Sequence, residues 1–193
     1  ERADTQRTAA LVAQFHREFT RRGEEITRQV ERIANSRDAA RIAFEVTRLN
    51  ADTSAFVNEA TSLASDNQLD FLELLAADGT ILSSAQWPAR FGYKESWLTE
   101  AADWAAQGPF LQREELPEGP ALALIVVRPV RAGAKNIFVA GGRKIGSEFL
   151  ASLTLPDGMR ALLFRNEAGE PAVESLTGAG ESGSRLEKLL PLI

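Results

Sequence analysis

LDFLELLAADGTILSSAQ, residues Leu69–Gln86, is the stretch whose reading decides the fold. Two apolar runs, Phe71–Ala77 and Thr80–Ser84, flank Asp78-Gly79. Asp-Gly between β-prone runs signals a hairpin, because a type I′ turn needs positive φ at both central residues. The stretch therefore predicts an antiparallel hairpin. Upstream of it the pattern is helical; downstream it is short strands joined by Gly/Pro turns. The fold class expected is α+β, a long N-terminal helix followed by an antiparallel sheet.

Upstream, between Asp4 and Ala34, apolar residues fall at Leu11 or Val12, Phe15, Phe19, Ile26, Val30 and Ile33, with Arg22 the polar member of the stripe. Steps of three and four give an amphipathic helix with a coiled-coil-like seam. At about 1.5 Å per residue it spans roughly 45 Å, more than a compact domain of this size needs. Such a helix either lies along its own sheet or packs against a second copy, and the second is the expectation here. Asn35-Ser36 breaks it, a second helix is predicted over Asp38–Leu49, and a third over Thr53–Ser65 with Asp52 or Thr53 as its cap.

Downstream, Trp87–Tyr93 (WPARFGY) is irregular, and Trp97–Ala106 reads as a short helix with Trp97, Ala101 and Trp104 on one face. Strands are predicted at Phe110–Glu115, Ala121–Val130 and Ala134–Ala140, with pairing ending or bulging at Pro129, which lacks a ladder N–H. Gly141-Gly142 is expected to turn into a helix over Ser147–Leu153, capped by Ser147. Met159–Arg165 and Pro171–Ser175 echo the first hairpin at an offset of roughly 90 residues, which predicts a partial second module. Thr177–Ser184 reads as a linker and Arg185–Leu192 as a short amphipathic helix.

Composition removes several function classes. A net charge of -5 and a pI near 5.1 argue against a nucleic-acid-binding surface, which is normally a clustered basic face. The absence of cysteine excludes disulfides, thiolate metal sites and cysteine nucleophiles. No run of 18 apolar residues is present, and no signal peptide. The chain opens on Glu1-Arg2-Ala3-Asp4 in mid-helix without Met, which reads as a processed or excised fragment. Its one histidine, His16, sits on the first helix far from any strand-end serine, too little for His-activated nucleophilic catalysis or a zinc site. A helix-face role or a pH switch remain for it. Glu114, Glu115 and Glu118 read as a solvated hairpin tip. Gly141–Gly146 (GGRKIG) meets neither nucleotide-binding fingerprint. No catalytic residue, metal ligand or cofactor site is predicted, and the chain is expected not to be an enzyme.

What remains is a concentration of recognition residues. Trp87, Arg90, Phe91, Tyr93 and Trp97 fall within eleven positions, just after a strand that delivers Ser83 and Ser84. Aromatic walls with a few placed charges make small-molecule pockets. The ligand-binding residues predicted are Ser83, Trp87, Arg90, Tyr93 and Trp97, with Arg113 and Arg128 reaching in from neighbouring strands. Arg90 could clamp a carboxylate bidentately. Equally, Trp97 and Trp104 could simply anchor the short helix to the sheet.

FLELLAADGTILSSAQWPARFG (71–92), the strand trio over 110–140 and the helix at 147–153 together resemble the Cache family of extracytoplasmic, PAS-like sensor domains. The likeness is greatest to the sensor region of a bacterial membrane-bound histidine kinase. It implies a helical stalk over 1–66, a sensor module over 67–156, and a C-terminal extension or incomplete second Cache module over 157–193. It further implies a periplasmic domain of an inner-membrane protein in a two-component system. That domain would bind a small-molecule ligand and form a homodimer through the N-terminal helix. A chemoreceptor ectodomain, and a dimerisation or interaction module without a ligand, are the alternatives. The family's amino-acid-binding subset carries an Arg-x-Trp-Tyr motif after the hairpin, whereas here Arg90 is followed by Phe91-Gly92-Tyr93.

Overall fold

A computed structural model describes residues 2–48, 51–99, 103–132, 135–155, 161–164 and 176–178. The chain divides into two compact units, Arg22–Lys144 and a second made of Glu1–Arg21 with Ile145–Ile193. The fold is α+β, as the sequence predicts: a long N-terminal helix followed by a five-stranded antiparallel sheet with helices.

In the first unit the strands are β1 (Phe71–Ala76), β2 (Ile81–Ser84), β3 (Phe110–Glu114), β4 (Ala121–Ala132) and β5 (Lys135–Lys144), in the order β2-β1-β5-β4-β3. The β1–β2 hairpin forms where Asp78-Gly79 places it, but not through a type I′ turn. Only Gly79 has positive φ, at 82°; Asp78 does not. The Gly79 N–H donates to the Ala76 carbonyl (2.9 Å), and Asp78 Oδ1 accepts from the Thr80 N–H (3.1 Å). A tight turn followed by one left-handed glycine closes the hairpin and spares aspartate the strained conformation. The pairing also shifts between Leu74, opposite Ser83, and Leu75, opposite Ile81, so Leu82 is the extra residue of a bulge.

β4 runs past the predicted end at Val130 and β5 past the predicted end at Ala140. Pairing passes through Pro129, opposite Phe138, and reaches Ala132, opposite Lys135. Proline is tolerated there because β3 pairs with β4 only as far as Ile125, so the missing N–H falls where β4 has no neighbour on that side. Gly141 and Gly142 do not turn the chain. They lie inside β5, opposite Leu72 and Phe71 of β1.

Helices α1 (Arg2–Ala34) and α2 (Arg37–Val46) flank a break capped by Ser36, whose hydroxyl accepts from the Ala39 N–H (3.0 Å). The third predicted helix is split into a 3-10 turn, Thr53–Phe56, and α3, Glu59–Asp66. Ser83 is the reason. Its hydroxyl donates to the Val57 carbonyl (2.7 Å) and accepts from the Ala60 N–H (2.9 Å), taking over bonds a continuous helix would make internally. Of the predicted Trp97–Ala106 helix the described residues show a 3-10 turn, Ser96–Thr99, while 100–102 lie outside them. The indole N–H of Trp104 ties back to the Leu98 carbonyl (2.7 Å).

Strand alternation gives the sheet two buried faces. On one, α2 packs against β4 and α3 against β1 and β2, while Val30 of α1 meets Gly141 together with Leu69 and Leu72. On the other, Leu75, Ile81, Val127 and Ala140 pack against Leu98, Trp104, Trp97 and Phe110. This second face is covered by the irregular segment that follows the hairpin.

In the second unit Phe15 and Phe19 of α1 stack (ring centroids 6.1 Å), and Phe15 meets the buried Phe149 of α4 (Ser147–Ala151) edge-on at 5.4 Å. Gly146, not Ser147, occupies the cap position of α4. β6 (Leu162–Phe164) pairs antiparallel with β7 (Leu176–Gly178), so the second strand of this pair falls where a linker is predicted. Pro171–Ser175 and Arg185–Leu192 lie outside the described residues. Among the described residues no helix is long and apolar enough to cross a membrane.

Candidate functional site

A glutamate in the middle of Phe71-Leu72-Glu73-Leu74-Leu75 must project from one face of a central strand. The register sends Glu73 to the same face as Phe71 and Leu75, beneath the covering segment, where it is 3% exposed. Glu114, the last residue of β3, reaches that face from the far edge of the sheet and is 7% exposed. Gln86 joins them. Its Nε2 donates to Glu73 Oε1 (3.1 Å) and to Glu114 Oε2 (3.4 Å), and its Oε1 accepts from the Leu72 N–H (3.1 Å). The Ser84 hydroxyl, beside Glu73 in the hairpin register, also hydrogen-bonds Glu73 and accepts from the Trp87 N–H (3.2 Å).

The covering segment adds an ion pair. Arg90 ends a 3-10 turn, Pro88–Arg90, and its Nη2 lies 2.7 Å from Glu95 Oε1, while its guanidinium sits 6.0 Å from the centre of the Trp87 ring. Glu95 Oε2 accepts from the Trp97 indole N–H (2.9 Å). The hairpin holds these residues in place. The Ile81 N–H donates to the Tyr93 carbonyl (2.8 Å), the Gly92 N–H to the Ile81 carbonyl (2.9 Å), and the Glu95 N–H to the Gly79 carbonyl (2.9 Å). At the outer rim Lys94 pairs with Asp78 (2.7 Å), and with Thr80 it holds the Asp78 carboxyl down at about 2.

Among the described residues, three carboxyl groups thus share a water-poor site with a single guanidinium. Burial pushes Glu73 up to about 8, and the facing Glu114 and Glu95 add to the effect; the Ser84 hydroxyl and Arg90 oppose it. Burial likewise raises Glu114 to about 7, with Glu95 reinforcing and Arg90 and Gln86 opposing. The site is built to hold protons or to receive positive charge. An incoming carboxylate would have to displace Glu95 from Arg90 and enter beside two more acids. Among the described residues no group of three or more His, Cys, Asp or Glu is arranged to hold a metal ion.

Toward the β4–β5 turn, the same covered face opens into a cleft of about 430 Å³ lined by Leu98, Asp103, Trp104, Pro129, Arg131 and Phe138, among others. This cleft lies between the sheet and the covering segment.

Of the residues singled out by sequence, Trp87, Arg90 and Trp97 come together around the acidic cluster. Tyr93 contributes its backbone and leaves its side chain 64% exposed. Ser83 faces the helix-covered side, where it holds the break before α3. Arg113 is exposed and pairs with Glu115 (3.2 Å). Arg128 also faces the helices: it pairs with Glu31 (3.0 Å) and donates to the Trp104 (3.3 Å) and Gln107 (2.9 Å) carbonyls. Glu114, read as part of a solvated tip, is buried instead, because β3 carries it to the inward face before the turn begins. Glu73, Gln86 and Glu95 escaped the sequence reading. The signal for Glu73 was there, a lone acid inside an apolar strand run.

No protein-family model matches the chain, and no curated protein matches it. Among solved structures the chain is similar to the V. cholerae histidine kinase DctB sensor domain, at 14% identity over 72% of this chain and 51% of that one, with a TM-score of 0.35. The chain spans about half the length of that neighbour.

Proposed function

We propose that this chain is the ligand-sensing, extracytoplasmic domain of a membrane-bound receptor, a sensor histidine kinase before a chemoreceptor, and performs no catalysis itself. The observation that carries the reading is the cluster of Glu73, Gln86, Arg90, Glu95 and Glu114 under a covering segment. Buried ionisable groups in such numbers add little to fold stability, and strongly perturbed ones concentrate at functional sites. A small molecule enters by the cleft between sheet and cover and binds one position of the cover better than the other. That differential affinity shifts the population and, through the sheet, the set of α1. On this reading the domain is periplasmic, its parent is an inner-membrane protein, and α1 pairs with a second copy. Val12 and Phe15, 50% and 42% exposed on its seam, favour that pairing and equally suit a partner helix in an interaction module.

The test is a thermal-shift screen of small amines, amino acids and carboxylates on the wild-type chain and on Arg90→Ala and Trp97→Ala. A ligand at about 100 times its Kd stabilises by about 2.7 kcal/mol, which is several degrees for a chain of this size. The shift is expected in wild type and lost in both variants. Shifts that survive both substitutions would place binding elsewhere.

A further inference from the structure

We propose that the proton is itself an input to this domain: Glu73, Gln86 and Glu114 form a latch that holds residues 86–91 against the sheet while the carboxyls are neutral and releases them on ionisation. The proposal rests on reading the covered face as the sensing site and adds the class of input.

The geometry carries it. Both carboxyls lie within hydrogen-bonding reach of one amide nitrogen, Gln86 Nε2, which contributes no charge. Among the described residues, the elements packed around them bring mostly further acids or neutral groups. β1 brings Glu73, β3 brings Glu114 and the rim residue Glu115, and the cover brings Glu95 and Arg90. Opposite Glu73, β5 offers Ala140, and opposite Glu114, β4 offers Ala121. Among the described residues Arg90 is the one cation facing the cluster, and Glu95 holds it at 2.7 Å. Ionising Glu73 and Glu114, 3% and 7% exposed, therefore leaves uncompensated negative charge out of reach of bulk water. Burial accordingly lifts both groups into the neutral range.

Where that charge finds water is also set by the structure. Glu73 stands on a central strand between β2 and β5, which cannot part without breaking ladders. Residues 86–91 are tethered at their ends, by Ala85 to Leu72 (2.8 Å) and by Gly92 to Ile81 (2.9 Å). Between those tethers the segment reaches inward mainly through Gln86 and Arg90. It is the element that gives way. The carboxyl proton passes to solvent and the freed carboxylates draw water in; the Gln86 N–H by itself favours the ionised form, but the cost of burying the charge outweighs that bond, and the bridge opens.

Hydrogen–deuterium exchange on the intact chain at pH 5.5 and 8.5, corrected for intrinsic amide chemistry, tests the latch. Peptides covering 86–91 should exchange at least tenfold faster at the higher pH, by a larger factor than those of β4 and β5, whose exchange follows the fall in global stability. Glu73→Gln combined with Glu114→Gln should keep the slow rate at both values. If the double variant does not fold, Glu114→Gln alone should shift the midpoint of the transition. Equal corrected rates at the two pH values, or the same acceleration in the variants, would overturn the proposal. Equal rates alongside a ligand shift that Arg90→Ala abolishes would remove the latch and leave the small-molecule reading standing.

Discussion

Replacing Gly142 with alanine is expected to lower the free energy of unfolding by about 3 kcal/mol, the upper part of the range for an overpacked site. Gly142 lies in the middle of β5, between Phe71 of β1 and Ile125 of β4. A Cβ there would run into the backbone oxygen of Leu124 and come within 2.5 Å of Ile125 Cγ2. Both obstacles belong to the neighbouring strand, so relief requires the β4–β5 ladder to move. Its neighbour is a useful control. A Cβ on Gly141 meets the tips of Val30, Leu69 and Leu72 at 2.8–3.1 Å, and side-chain ends can rotate away. Gly141→Ala should cost distinctly less. Urea titrations of both variants check this, with a lowered midpoint and unchanged slope marking a loss of stability alone.

Stability is expected to fall as the pH rises from about 5 to about 8. The folded chain holds protons on Glu73 and Glu114 that the unfolded chain releases near the ordinary value of 4.5, because the folded values stand near 8 and 7. In that window the native state binds more protons than the unfolded one, so the derivative of the unfolding free energy with pH is negative. Each proton held by the native state alone contributes a slope of about 1.4 kcal/mol per pH unit. The contribution is complete below 4.5 and lost as the pH passes through the folded values. Asp78 works in the opposite sense, losing its contribution as the pH falls toward 2, and does not reach this window. Glu73→Gln should therefore flatten the curve and exceed wild type in stability at pH 8, read from urea midpoints across the pH range. A wild-type curve that rises between pH 5 and 8 would contradict the burial of these groups in neutral form.

Helical periodicity sufficed for α1, whose stripe at Ile26, Val30 and Ile33 is fully buried, and Asp78-Gly79 sufficed for the hairpin. The face on which each strand residue lands was harder to read. Ser83 and Ser84 are adjacent, and which of them meets the cover depends on the bulge at Leu82, a pairing irregularity that no local pattern announces. Arg128 turns toward the helices because its register partner is Val139, a long-range fact. The helix expected over Thr53–Ser65 breaks because a serine 26 residues away from Val57 captures its carbonyl. The acidic cluster was hidden for the same reason. Gln86 reaches carboxyls 13 and 28 residues distant, and only the sheet order brings β1 and β3 to one covered face. Aromatic density led the sequence reading to Trp87, Arg90 and Trp97, which do surround the cluster, but it drew attention to the walls and away from the acids they enclose.

Site-specific carbon-13 titration of the glutamate side-chain carboxyls in the intact chain addresses the core of this account most directly. Glu73 and Glu114 should titrate well above the other glutamates, with midpoints near 8 and 7. Midpoints in the ordinary range around 4.5 would mean that the two carboxyls are solvated and ionised at neutral pH, and the covered face would then hold no poised acid cluster.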